Sequence, residues 1–171
     1  MPFNNEKDFE KHIRMLIQKF ILPLNDDLIL LQNKKAVDMV LCRNGVIPAL
    51  YFVEIKYHKD YRLGTGHGKG GGFQPEILKK EFDYFERNMR WILGDMKHEN
   101  AYWFADNATI RKYLAGDEIA DKYNNIQSRF FKEEPKLTEP ELILALAYWL
   151  QLAGKDELSN IQGYYAASYV S

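Results

Sequence analysis

Apolar residues recur on two different periods along the chain, and the changes of period mark its elements. Phe9, Ile13, Leu16, Ile17, Phe20 and Ile21 return every three or four positions, which predicts an amphipathic helix over about residues 6–21, with Asn5 as N-cap and Pro23 as its stop. Leu28-Ile29-Leu30-Leu31 predicts a short strand. Ala36–Arg43 and Ala49–Tyr57 predict two more, joined through Asn44-Gly45, a dipeptide that favours hairpin turns. Pro48 belongs at the entry of the later strand, since it has no N–H to give to a ladder. A long helix is expected from Pro75 to Leu93 and Gly94. A buried strand should follow over Ala101–Phe104, then a helix over about residues 117–131. Thr138 and Glu141 form a capping box for a strongly apolar helix ending at Gly154. The tail, with Tyr164, Tyr165 and Tyr169, is open between a packed strand and a partner-binding segment. This order predicts an α/β fold, a mixed sheet flanked by helices, in a single domain over residues 1–171 with a helical C-terminal part from about 107.

Composition narrows the class. Hydrophobic residues make up 46% and charged residues 27% of the 171, which excludes a disordered, collagenous or coiled-coil chain. Twenty-three Lys and Arg against 24 Asp and Glu leave a formal charge of −1, so any polyanion must be held by a local patch and not by bulk charge. Cys42 is the single cysteine, and the Cys/His spacing of structural zinc is absent. The opening residues lack the basic-then-apolar order of a secretory signal, and the apolar run Leu142–Leu150 falls well short of the ~20 residues of a membrane span. A soluble, cytoplasmic protein is expected.

Three charges interrupt otherwise apolar strands. Asp38 stands in Val37-Asp38-Met39-Val40-Leu41, and Glu54 and Lys56 stand in Tyr51-Phe52-Val53-Glu54-Ile55-Lys56-Tyr57. Alternation puts Glu54 and Lys56 on one face, opposite Val53, Ile55 and Tyr57. Buried charges are costly unless paired, and a divalent cation is one way of pairing two carboxylates. Mg²⁺ takes one or two carboxylates with carbonyl and water oxygens, which fits Asp38, Glu54 and the carbonyl of Ile55. A plainer reading makes Glu54 and Lys56 part of a solvated ladder with Lys34 or Lys35 on an exposed sheet face.

Asp38 followed by Glu54-x-Lys56, on adjacent strands after a helix, resembles the PD-(D/E)xK nuclease superfamily over roughly residues 5–105. The resemblance implies a restriction-endonuclease-like mixed β-sheet core flanked by α-helices. It implies that Asp38 and Glu54 are metal ligands and that Lys56 orients or deprotonates the attacking water. Val37 stands where the motif has proline. Members often add a glutamate from the first helix, for which Glu10, on the margin of the Ile13/Ile17 stripe, is chosen over Glu6, which lies nearer the stripe's centre but too close to the frayed start. They also often carry a glutamine or basic residue on the helix after the motif, for which Gln74 is nearest. The implied activity is Mg²⁺-dependent hydrolysis of DNA phosphodiesters, with Mn²⁺ as a substitute, by a restriction-type or phage-associated endonuclease acting as a homodimer. A catalytically inactive nucleic-acid-binding or scaffold protein of the same fold, or an RNA-processing nuclease, is the alternative.

Strand parity tests the assignment. A two-residue Asn44-Gly45 turn would pair Arg43 with Val46 and hence Asp38 with Tyr51, sending Asp38 and Glu54 to opposite faces. A common site therefore requires an odd-length loop, a bulge, or a wider loop through Pro48.

Other acidic-x-Lys triplets, Asp95-Met96-Lys97 and Glu134-Pro135-Lys136, lack a partnering strand aspartate. Gly64–Gly72 holds six of the eleven glycines and reads as a mobile loop. Its Gly66-x-Gly68-x-x-Gly71 lacks the strand-to-helix context of a dinucleotide fingerprint. Between Ile55 and Lys80, six positive residues (Lys56, Lys59, Arg62, Lys69, Lys79 and Lys80) face only Asp60 and Glu76. That segment, with His67 and Gln74, is the expected nucleic-acid-binding surface. The stretch from Glu133 to the C-terminus is acidic and should face away from nucleic acid.

Overall fold

The computed structural model describes residues 3–32, 37–46, 48–58, 78, 87–114 and 126–150. The first helix, α1 (Glu6–Leu16), begins where the sequence places it: the Asn5 side chain accepts from the N–H of Asp8 at 2.9 Å. It continues as a π-helical turn, Ile17–Ile21, and a 3₁₀ turn, Leu22–Leu24, that contains Pro23. Five strands follow: β1 (Leu28–Gln32), β2 (Met39–Arg43), β3 (Ala49–His58), β4 (Met89–Asp95) and β5 (Trp103–Ala105). They form one sheet in the order β1-β2-β3-β4-β5, with every neighbouring pair antiparallel except β3 and β4, which run parallel. The fold is therefore α/β with a mixed sheet. Parallel neighbours cannot be joined by a tight turn, and residues 59–88 connect them.

Helices pack on both faces. On the first, α1 and its π turn set Phe9, Ile13, Leu16, Ile17 and Ile21 against Met39, Leu41, Val53, Ile55, Tyr57 and Ile92. The last helix, α4 (Glu139–Trp149), adds Leu142, Ile143, Leu146 and Ala147 to the same core. It opens with the Thr138/Glu141 capping box that the sequence predicts. On the second face Val40, Met89, Trp91, Leu93, Trp103 and Ala105 meet α2 (Asn107–Lys112) and α3 (Phe130–Glu133) through Ile110, Phe130 and Phe131.

Two expectations change. The helix from Pro75 does not extend to Gly94, because Met89–Asp95 is strand β4. Met89, Trp91 and Leu93 fill the second core while Ile92 fills the first, so this strand is apolar on both faces and shows no alternation. The helix expected over about residues 117–131 does not cover 126–129 either: Ile126 bridges Leu114, and among the described residues of that stretch the helix is Phe130–Glu133. Among the described residues no helix is long and apolar enough to cross a membrane.

Candidate active site at the open edge of the central strand

The pairing of β2 with β3 settles the parity. Arg43 faces Ala49 and Met39 faces Val53, so the connection is the five-residue segment 44–48 and not a two-residue turn. Odd length carries the register one step further, to Asp38 opposite Glu54, and both side chains leave the sheet on the same face. The wider loop through Pro48 that a shared site requires is present.

Unequal strand length then makes the site. β3 continues to His58, whereas β2 begins only at Met39, opposite Val53. Beyond that point no strand among the described residues lies against the β2-side edge of β3, and its backbone groups need other partners. Two carboxylates supply them. Asp38 Oδ2 accepts from the N–H of Ile55 at 2.7 Å, and Glu6 Oε2, from the first turn of α1, accepts from the N–H of Tyr57 at 3.2 Å. Asp38 in turn donates its own N–H to Glu54 Oε2 at 3.2 Å. Because N–H and C=O of one strand residue leave on the same edge, the Ile55 carbonyl also lies on this open edge, beside Asp38.

Glu54 is 3% and Lys56 7% exposed, which overturns the solvated-ladder reading. Lys56 Nζ lies 3.2 Å from Glu54 Oε1 and 4.0 Å from Glu6 Oε1. Burial raises the Glu54 carboxyl to about 7; the Lys56 ammonium and the hydrogen bonds it receives only partly oppose this. Asp38 is also raised, chiefly by burial, with the Ile55 N–H and Lys56 opposing and Glu10 and Glu6 adding to it. For Lys56, burial alone would favour the neutral amine, but the carboxylates of Glu54, Glu6 and Asp38 outweigh it and hold the group as an ammonium. Two carboxylates pushed toward protonation by desolvation, next to a carbonyl edge, are a donor set of hard oxygens suited to Mg²⁺. Among the described residues no three His, Cys, Asp or Glu side chains converge as a ready-made cage.

Asp38 opens onto a cleft of about 690 Å³ whose other lining comes from α1: Asn5, Glu6, Lys7, Glu10, Lys11 and Arg14. The structure thus brings Asp38, Glu54, Lys56 and the Ile55 edge together. Glu10 shares the cleft, but its carboxylate is engaged by Arg14 at 2.5 Å. The helix carboxylate that touches Lys56 and β3 is Glu6. Its signal is legible in hindsight: Glu6 lies three residues before Phe9 and seven before Ile13, on the buried stripe, and the Asn5 cap keeps that first turn intact. Lys59, Arg62, His67, Lys69, Gln74, Lys79 and Lys80 lie outside the described residues. Further along β3, His58 is buried against Phe131, and burial lowers its imidazole to about 4 despite the nearby Asp95.

No family model matches the chain, and no curated protein or solved structure does.

Proposed function

We propose that the chain is a metal-dependent nuclease of the PD-(D/E)xK type, with a restriction-endonuclease-like core, that hydrolyses DNA phosphodiester bonds. The observation that carries this reading is the register: Asp38 stands opposite Glu54 one residue before β2 begins, with Lys56 held against Glu54 on the same buried face. Asp38, Glu54 and the Ile55 carbonyl would hold Mg²⁺, or Mn²⁺ in its place. When bound, such an ion supplies Lewis-acid polarisation of the phosphoryl oxygen and lowers the pKa of a bound water.

The chain's own part follows from charge. Lys56 is kept protonated by three carboxylates, so it acts as a hydrogen-bond donor and fixed positive charge and not as a base. In that role it orients the attacking water and stabilises negative charge that develops on the phosphoryl oxygens. Glu6 positions Lys56 from the α1 side, and the Ile55 and Tyr57 N–H bonds fix Asp38 and Glu6. Dry surroundings at Glu54 strengthen each of these interactions. A restriction-type endonuclease of this size supplies one site per chain, so cutting both strands calls for a homodimer.

A second reading, a nucleic-acid-binding or scaffold protein of the same architecture without turnover, draws on one observation: Lys56 itself neutralises Glu54. The test is incubation with plasmid, linear and single-stranded DNA, and with RNA, in Mg²⁺, Mn²⁺ or EDTA. Cleavage that needs the metal and is lost in Lys56→Ala and Glu54→Gln supports the nuclease. Cleavage of RNA alone moves the substrate, and no metal-dependent cleavage with nucleic-acid binding retained favours the second reading.

A further inference from the structure

The cleft beside Asp38 is acidic on its floor and basic on its rim. Lys7, Lys11 and Arg14 line it, and at steps of four and three residues they form one strip of α1 adjacent to the strip that carries Glu6 and Glu10. Arg14 is engaged by Glu10. Lys7 and Lys11 are exposed, and neither pairs with any described carboxylate although Glu6, Glu10 and Asp38 line the same cleft. From inside, Lys56 approaches Glu6 to 4.0 Å and pairs with Glu54 at 3.2 Å. Two ammonium groups that stand over acidic side chains without pairing to them are placed for an anion arriving from solvent.

Shape says which anion. Seven residues separate Lys7 from Arg14, a rise of about 10 Å along the helix. A duplex strand carries one phosphate per ~3.4 Å of helix axis and a longer path along the backbone itself, so a strip of that length, with the reach of its side chains, meets about two or three successive phosphates. A row of cations along the wall of an open cleft fits a repeating polyanion better than a small compact one. The chain's net charge of −1 requires such affinity to be local.

We propose that Lys7, Lys11 and Arg14 form a phosphate-binding rail that lays the backbone of a nucleic-acid strand along α1 and past Asp38. This rests on the nuclease reading for its substrate class, but it concerns binding and needs no turnover. The rail assigns a strand-holding role to the first helix, in addition to the carboxylate it gives to the site.

The test is fluorescence anisotropy with labelled 20-nucleotide single-stranded DNA, the matching duplex and a 20-nucleotide RNA, in EDTA and in Ca²⁺, over a series of salt concentrations. Lys7→Gln/Lys11→Gln/Arg14→Gln is compared with the wild type and with Lys132→Gln/Lys136→Gln, two exposed lysines that do not line the cleft. Because Arg14 also pairs with Glu10, Lys7→Gln/Lys11→Gln is measured too, and circular dichroism checks that each variant is folded. Each lost phosphate contact removes ~0.7–0.9 from the slope of log affinity against log salt. The triple variant should therefore lose about two units of slope and roughly 50-fold in affinity near physiological salt, and the double variant roughly 10-fold. The Lys132/Lys136 control should bind as the wild type does. Unchanged affinity and slope in the triple variant, an equal loss in the control, or a wild type that binds none of the three probes would each overturn the rail. Failure of the nuclease reading looks different: no metal-dependent cleavage, with the salt-dependent binding and its loss in the triple variant intact.

Discussion

Replacing Lys56 by Met keeps the length of the side chain and removes the ammonium 3.2 Å from Glu54. What remains is a 3%-exposed carboxyl whose value is about 7 even with the lysine present, against 4.5 for an ordinary glutamate. A group whose pKa is raised on folding stabilises the fold fully below its unfolded value and loses that contribution as pH rises through the folded value. At ~1.4 kcal/mol per unit, wild-type Glu54 gives up about 3 kcal/mol between pH 4.5 and pH 8, after which its ionisation caps the loss. Without Lys56 the folded value rises further, because the ammonium that opposes desolvation is gone, and the loss by pH 8 grows. The gap between wild type and Lys56→Met should thus widen by roughly 1 kcal/mol from pH 5.5 to pH 8, since other titrating groups largely cancel in the difference. Urea unfolding of both proteins at four or five pH values reads this directly, and adding Glu54→Gln to each should flatten the trend. A gap that is constant with pH, or that narrows toward alkaline pH, would refute the claim that desolvation governs Glu54.

Glu6→Ala should cost about 1 kcal/mol in urea unfolding because it removes the acceptor of the Tyr57 N–H, whereas Glu10→Ala, which loses only its pair with Arg14, should cost no more than ~0.5 kcal/mol. Gly94→Ala places a Cβ 2.7 Å from Phe9 Cζ and 3.2 Å from Tyr57 Cδ2, so overpacking should cost about 1–3 kcal/mol, with part recovered by Phe9→Leu in the same assay. His58, lowered to about 4 by burial, contributes stability above pH 6.5 that is lost as pH falls toward 4. Measured in Glu54→Gln to remove the opposite trend, the protein should be about 2 kcal/mol less stable at pH 5 than at pH 8, and His58→Leu should abolish that difference.

The parts of the fold that were legible in the sequence are those fixed by local chemistry. Asn5 and the Thr138/Glu141 box mark helix starts because their side chains satisfy N–H groups within three residues. Asp38, Glu54 and Lys56 stand out because a charge in an apolar strand needs a partner, and parity alone showed that a two-residue turn was incompatible with a shared face. β4 was hidden for a complementary reason: Met89–Asp95 is covered on both faces and pairs in parallel with a strand distant in sequence, so neither alternation nor a hairpin signal announces it. Glu6 was hidden by the assumption that a helix's first turn frays. Its role depends on β3 outrunning β2, a fact of tertiary pairing that local pattern does not encode.

That overhang bears on how the protein avoids its own kind. An uncovered strand edge in the middle of a sheet is a template on which another chain's strand can add, and natural sheets guard such edges with charge. Here the guards are Asp38 and Glu6, which occupy the N–H groups of Ile55 and Tyr57 that an intruding strand would seek. Neutralising both would leave the N–H groups of Ile55 and Tyr57 without those acceptors and open to an added strand. The two carboxylates therefore also occupy the backbone groups on which another copy's strand would have to add.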